Sequence, residues 1–508
     1  MPRKLVNEYL DVFIIMLAFA GMIFSHALMS FSLAFMAARF LFANKQRLKE
    51  TRKDLLLALL SYFALMLIAS LWSENLNEAV KQLNKNLPFL IVPLYFFTIN
   101  PLDKKKIITL AVGFVSFLIV SSLIALTRLY FFDYNDIRQA LPVGSHIRFS
   151  LFVCLTIGFA GIYWFKHRKE IKTSHSLILI AVIVYLLAYI ILSSSLTAIV
   201  ILFVLLLPTS LIYVRKRISK TLFYIYLFLV CSSAALLGNY IYSCANDYFV
   251  PKEAANDTLL IENGYYCYTD DATKRQQQEE QMARGMQQYL NISKDSLFQD
   301  GEYQYSYLDI ACRYFNSKGL ERNLQNWNLL TQEDKENIRN GIPNYVYASG
   351  NPLKVRLYKT FYGIEAFRVY GKVKGSSIIQ KLELWDKAIS LSKDELVWLC
   401  GVGTGDLIDE LNIKLKENNS QMTDCGLRPH NQFLTTWITF GLIGLGVFLV
   451  MLFYPAFSTE LYKNSYYICF MAIILISMLS EDTLDNQQGI LLFCVFNSFF
   501  ISLKAIKS

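Results

Sequence analysis

Twelve apolar runs of about 17–23 residues, the length that crosses a bilayer as a helix, are the feature that most limits what this chain can become. They lie near 10–28, 29–43, 55–72, 87–99, 107–129, 149–165, 177–193, 196–213, 221–243, 431–453, 465–480 and 489–503, the second and fourth being short. A backbone in lipid has no water to bond to and must close its own hydrogen bonds. The runs therefore predict an all-α polytopic membrane protein of about twelve transmembrane helices.

Composition agrees. The 508 residues are 54 % hydrophobic, 15 % aromatic and only 18 % charged, against about 25 % charged in soluble domains. No cleavable signal is expected: Met1 to Lys4 is basic, but the apolar segment that follows has no small-residue cleavage site. The net charge of +9 reports topology, not nucleic acid, because the excess Lys and Arg lie in short loops. Arg3/Lys4, Lys45 to Lys53, Lys104 to Lys106, Lys166 to Lys172, Arg215 to Lys220, Lys463 and Lys504/Lys507 fall on one side of the predicted membrane. The opposite short loops hold only Lys81, Lys85, Arg138 and Arg148. By the positive-inside rule both termini are cytoplasmic.

This topology divides the chain into a membrane part over 1–243 with nine spans, a large external loop over 244–430 between spans 9 and 10, and three further spans over 431–508. The loop is polar and reads as mainly helical. Ala272 to Leu290 carries Met282, Met286 and Leu290 near helical spacing, and Thr331-Gln332-Glu333-Asp334 resembles a capping box. Lys354 to Tyr370 and Ser377 to Leu391 read as two more helices, broken near Gly371 and Gly375. Of nine cysteines, Cys244, Cys267, Cys312, Cys400 and Cys425 lie on the outer side, where disulfides are permitted. A Cys400–Cys425 bridge would tie a glycine-rich turn to His430, although sequence does not fix the pairing. No zinc spacing is present.

Candidate chemistry gathers at the outer lip. Arg428-Pro429-His430-Asn431 stands where the polar loop turns back into apolar sequence, and His146-Ile147-Arg148 opens the sixth span on the same face. Arginine offers a planar fork of donors suited to phosphate oxygens. Histidine titrates near neutrality and can take a proton from a hydroxyl. The structural alternative is arginines on lipid headgroups, packed histidines and a helix-capping asparagine. Gly401-Val402-Gly403-Thr404-Gly405-Asp406 is not a G-x-G-x-x-G turn after a strand. It reads as a sharp reversal, with an anion-binding nest as the other reading. Glu481, Asp482 and Asp485 read as a solvated acidic loop, with a divalent-cation site as the alternative. Only Arg39 is read as an ionisable group within a span.

In sequence these residues resemble the O-antigen ligase and polymerase family of membrane glycosyltransferases. The likeness is best from Ser376 to Leu449, where Lys381-Leu382-x-x-Trp385-x-x-Ala388, the glycine turn, His430-Asn431-x-x-Leu434 and Gly441-Leu442-Ile443-Gly444 stand in the family's order. His146-Ile147-Arg148-Phe149-Ser150 is a second patch, and residues 244–350 have no counterpart. Two positions depart from the pattern: Lys381 stands where arginine is usual, and Leu196 where Ser-Arg-[Ser/Thr] is common.

The resemblance implies a bacterial inner-membrane enzyme with a periplasmic active face. It would move a glycan from a polyprenyl-pyrophosphate carrier to an acceptor hydroxyl on lipid A core, a protein or another repeat unit, without nucleotide, metal or other cofactor. Arg148, Lys381 and Arg428 would neutralise the pyrophosphate. His430, or else His146, would orient or deprotonate the acceptor hydroxyl, with Asn431 positioning it, and Gly401, Gly403 and Gly405 would form a structural turn. Single displacement implies inversion at the sugar carbon. Ligase and polymerase are not separated by these motifs, and ligase is the weak preference. From another class, a lipid-linked sugar transporter would place ionisable groups near the bilayer midplane, and a non-catalytic envelope scaffold would transfer nothing.

Overall fold

The computed structural model describes residues 2–504 apart from 44, 132–139, 143–144, 194, 196, 206–214, 216–218, 253–260, 267–271 and 293–305. Leu196, Arg138, Cys267 and residues 206–213 of the eighth apolar run thus lie outside the described residues. Among those described, the elements are α-helices and short 3-10 turns plus one antiparallel pair, Ile261–Glu262 against Tyr265–Tyr266. Six helices are long and apolar enough to cross a membrane: Lys53–Trp72, Lys104–Phe131, His146–His167, Thr173–Leu192, Lys220–Phe249 and Gln432–Ser458. Helices Pro2–Phe24, His26–Phe42, Pro88–Thr98, Ser465–Met478 and Gln487–Ser502 occupy other apolar runs, and the eighth is helical over 197–205.

The chain divides into two compact units, Met1–Tyr213 with Leu384–Ser508, and Val214–Glu383. These cuts differ from the changes in composition at 243/244 and 430/431. The end of the Lys220–Phe249 helix places buried Cys244 and Tyr248 against Val346, Tyr358 and Phe361 of the second unit. The glycine turn, polar in sequence, is bonded into the first.

Aromatic rings knit the first unit. The Tyr62 ring meets Phe89 edge-on at 5.2 Å and Phe440 at 5.8 Å, while Phe470 stacks on Phe496 at 5.8 Å. Between lipid-exposed helices such packing contacts, not escape from water, hold the bundle, and each aromatic pair adds about 0.5–1.5 kcal/mol. Arg39 is not alone among these helices. Its guanidinium grips buried Asp11 at 3.0 and 3.3 Å, and the Tyr95 hydroxyl donates to the same carboxylate at 3.3 Å. The sequence reading missed Asp11 because it stands near the basic start of its helix. The closed pair clamps three helices.

The Gln432–Ser458 helix breaks at Gly441 (φ 67°, ψ −172°). The break frees the carbonyls of Ile438 and Thr439, which accept the N–H groups of Val402 and Gly403 at 3.0 Å each. A Cβ on Gly441 would lie 2.1 Å from the Leu399 oxygen, and one on Gly401 would lie 2.3 Å from the Thr439 oxygen. Glycine is required at both by this backbone-to-backbone approach. The turn also reaches the first helices: the Thr404 hydroxyl donates to the Met66 carbonyl at 2.7 Å, and the Gly405 N–H to Ser73 Oγ at 3.1 Å.

The second unit has its own core. Met282, Met286 and Leu290 are buried on one helix face with Phe315, Trp327 and Ile338, as their spacing predicts. Thr331 and Asp334 form the expected capping box. Helices Pro352–Tyr370 and Ser377–Leu391 are separated by left-handed Gly371 and by Gly375.

Candidate functional site

The site is built in the first unit, at the starts of two helices and on the short link between two more. His146 is the first residue of its helix and Arg148 lies two residues on; Asn431 caps the Gln432–Ser458 helix, and the link runs from Leu479 to Asn486. The solvated-loop reading of that link fails. Glu481 and Asp482 are 6 % and 5 % exposed and are contacted by Arg148, His430 and Thr435 of the two helix starts. Buried carboxylates must be paired, and these meet the basic residues of the lip.

Arg148 donates from Nη2 to the Asp482 carbonyl at 3.0 Å and from Nη1 to Ser145 Oγ at 3.4 Å. The same Nη1 lies 3.7 Å from Glu481 Oε2, and His430 Nδ1 lies 3.6 Å from that oxygen. Both spacings exceed hydrogen-bond range; the Arg148 one is a charge contact, and the His430 one becomes so when the ring is protonated. Glu481 thus joins two residues that are 282 positions apart in number. Arg148 Nε is buried without a hydrogen-bond partner.

Asp482 holds the backbone. Its Oδ2 accepts the His430 N–H at 2.9 Å and its Oδ1 the Thr435 hydroxyl at 2.6 Å. Burial pushes its carboxyl above the ordinary range, opposed first by the Thr435 bond, while neighbouring Asp485 adds to the rise. His430 itself is left-handed, φ 54°, a region costly for residues with a Cβ and often found at functional sites. The preceding carbonyl, of Pro429, is held by Trp385 Nε1 at 2.6 Å.

Asn431 does not face an acceptor. Its Oδ1 accepts the N–H groups of Phe433 and Leu434 at 3.1 Å each, and its Nδ2 donates to the Leu479 carbonyl at 3.2 Å. The capping alternative is the one observed, and Asn431 acts by fixing the turn that presents His430.

A second group lies beside the first. Asp485 accepts from Lys85 Nζ at 2.7 Å through one oxygen and faces Arg428 Nε at 2.9 Å through the other. Burial lowers the ammonium pKa of Lys85, against the pull of Asp485. Behind them a cavity of about 20 Å³ is lined by Gln82, Asn86, Gln432, Thr436 and Thr439 among others, room for about one water. Asn86 Oδ1 is buried there without a partner. Sequence reasoning counted Lys85 only as a loop charge and passed over Asp485's pairing.

The remaining expectations sort as follows. Lys381 belongs to the other compact unit. The N–H groups of Gly401, Val402, Gly403 and Gly405 are spent on Val397 and Ile438 carbonyls, the Thr439 carbonyl and Ser73 Oγ. The glycine turn is therefore a structural joint with those amides closed to an anion. Cys400 and Cys425 are free thiols, so the bridge is not made. The residue before His430 is held instead by Trp385, through the Pro429 carbonyl. Among the described residues, no group of three or more His, Cys, Asp or Glu is arranged to hold a metal ion. Comparison with protein-family models gave no match, and neither did comparison with curated proteins.

Proposed function

We propose that this chain is a membrane glycosyltransferase of the O-antigen ligase type. It would move a glycan from a polyprenyl-pyrophosphate carrier to an acceptor hydroxyl at the outer, periplasmic face of a bacterial inner membrane. The observation that carries the reading is the meeting of Arg148 and His430 at one buried carboxylate, with Arg428 and Lys85 alongside. Cations gathered round a histidine suit a reaction in which a diphosphate leaves and a hydroxyl loses its proton.

In the proposed step the acceptor oxygen forms a bond to the anomeric carbon as the bond from that carbon to the phosphate oxygen breaks. The electron pair leaves with the diphosphate, whose charge Arg428 and Arg148 stabilise electrostatically. With Nδ1 turned to Glu481, Nε2 of His430 is the nitrogen available to take the hydroxyl proton. His146 is the alternative base, and Lys381 a further cation for the donor. Direct displacement inverts the sugar carbon.

Twelve crossings with the 244–430 segment outside are part of the same reading. The link carrying the carboxylates joins helices of 14 and 16 residues, about 21 and 24 Å long at 1.5 Å per residue. A hydrocarbon core is about 30 Å thick. Helices beginning at the cytoplasmic interface would therefore leave this link recessed below the outer surface, where the hydroxyls of Thr435, Thr436 and Thr439 line the first turns of the neighbouring helix. A recessed, polar floor suits a lipid-borne diphosphate that approaches from the side.

The test is transfer by purified protein given a polyprenyl-pyrophosphate glycan and separate acceptors, with EDTA and without nucleotide, beside His430→Ala. Product that requires His430 supports the reading, and the acceptor used separates ligase from polymerase. Absence of product with every acceptor, in a protein that still binds or moves the donor, would replace it with transport or scaffolding.

A further inference from the structure

The helix Leu76–Lys85 is held at both ends of its first turn. Asn75 Oδ1 accepts the Glu78 N–H at 3.0 Å, and Asp406 of the glycine turn accepts the N–H groups of Glu74 and Asn75 at 3.0 and 2.8 Å. This clamp sets where the last residue, Lys85, delivers its ammonium. It delivers it to Asp485, 400 positions away, which also takes Arg428.

Two cations share one carboxylate, and the nearby acids Glu78 and Asp482 also act on Lys85 and Arg428 respectively. The carboxylates of the link differ in how fully they are used. Asp482 is committed to a backbone N–H and a hydroxyl, and Glu481 is buried. Asp485, Lys85 and Arg428 are 21, 26 and 15 % exposed in their side chains, so solvent reaches this pair and not the others. A carboxylate bridging an arginine and a lysine occupies the place that two oxygens of a phosphoryl group would take, and a phosphoryl group brings more charge and a third oxygen.

We propose that Lys85 and Arg428 form a seat for one phosphoryl group of a diphosphate, and that the Asp485 carboxylate is its displaceable resident. Lys85 is thereby a binding residue. Asp485 sets affinity by competing for the seat, so an empty site keeps its cations paired and an arriving diphosphate must exchange for the carboxylate. The inference rests on the transferase reading only for the natural identity of the diphosphate.

The experiment is calorimetric titration of the detergent-solubilised full chain with inorganic pyrophosphate at low ionic strength. Asp485→Asn should bind about tenfold more tightly than the parent, the effect of removing one competing charge at partial exposure. Lys85→Met should weaken binding, and the double variant should lose the gain. Asp485→Ala should repeat the gain, which guards against a local fault of the asparagine, and thermal unfolding should show each variant folded. Binding by Asp485→Asn no tighter than the parent, or a gain that survives Lys85→Met, would overturn the seat. The transfer assay answers separately. A seat that behaves as expected in a protein that transfers no glycan would sink the transferase reading and leave the anion site standing. His430-dependent transfer without tightening by Asp485→Asn would do the reverse.

Discussion

Buried charge is handled in opposite ways by a pair in the second compact unit and by the lip cluster of the first. In the second, Glu262 and Arg313 form a closed pair. Nε and Nη2 of Arg313 bond the two carboxylate oxygens at 2.9 and 2.8 Å, Asn344 Nδ2 adds a third bond at 2.7 Å, and the guanidinium lies 3.6 Å over the Tyr362 ring. In the lip cluster of the first unit, Asp485 is divided between two cations, and Arg148 Nε and Asn86 Oδ1 are buried without a hydrogen-bond partner. A network with every member satisfied fixes a fold. One left partly open beside a left-handed histidine is what a site that must accept a ligand requires.

Breaking the closed pair gives the largest expected effect. Arg313→Met strands the buried Glu262 carboxylate and should cost about 3–5 kcal/mol, read as a lower unfolding temperature by calorimetry. Pyrophosphate affinity should not change; if it does, the contrast between the closed pair and the open cluster is wrong. At the open cluster, His430→Asn keeps a residue tolerant of the left-handed backbone and removes the base. It should lower transfer about a thousandfold, within the usual span for a lost acid–base group, and leave unfolding where it was. Should His430→Asn unfold instead, the histidine is a structural residue. Glu481→Gln sharpens the point further: loss of the orienting carboxylate should slow turnover about tenfold, about 1.4 kcal/mol, with little change in stability because Asp482 still holds the His430 N–H.

Sequence pattern reached the bundle and stopped at the pairs. The apolar runs and the Met282, Met286, Leu290 stripe are local periodicities, and helices stand where they predict. Thr331 with Asp334 is a local signal of the same kind. Asn431 before an apolar run is also an N-cap signal, and the capping reading proves to be the one in the structure. Arg148 and His430 were legible as types of residue at one lip. Glu481 and Asp485 were legible only as charges, since what determines their burial is the meeting of segments up to 400 positions apart. A clue did exist: three carboxylates in a short link between apolar helices too short to clear a bilayer are hard to keep solvated.

A carboxylate of the capping box separates a residue of the fold from one of the site. Asp334 accepts the Thr331 N–H and hydroxyl at 2.9 Å each, Lys318 Nζ at 2.6 Å and the Tyr314 hydroxyl at 2.7 Å. Burial alone would raise its carboxyl, but these bonds hold it down to about 2, from an ordinary value of 3.8. A depressed folded pKa stabilises the native state above the unfolded value, and that stability is lost as pH falls through the folded one. The second unit should therefore weaken between about pH 4 and pH 2. Asp334→Asn should cost about 2 kcal/mol at neutral pH, the scale of a carboxyl lowered from 3.8 to about 2, and should flatten that acid limb. Calorimetry of parent and variant across the window checks both. The variant should leave His430-dependent transfer untouched, because a closed carboxylate serves only the fold around it. A fall in transfer that tracked the acid limb of Asp334 would tie the second unit to the chemistry, and a closed carboxylate would no longer serve only the fold.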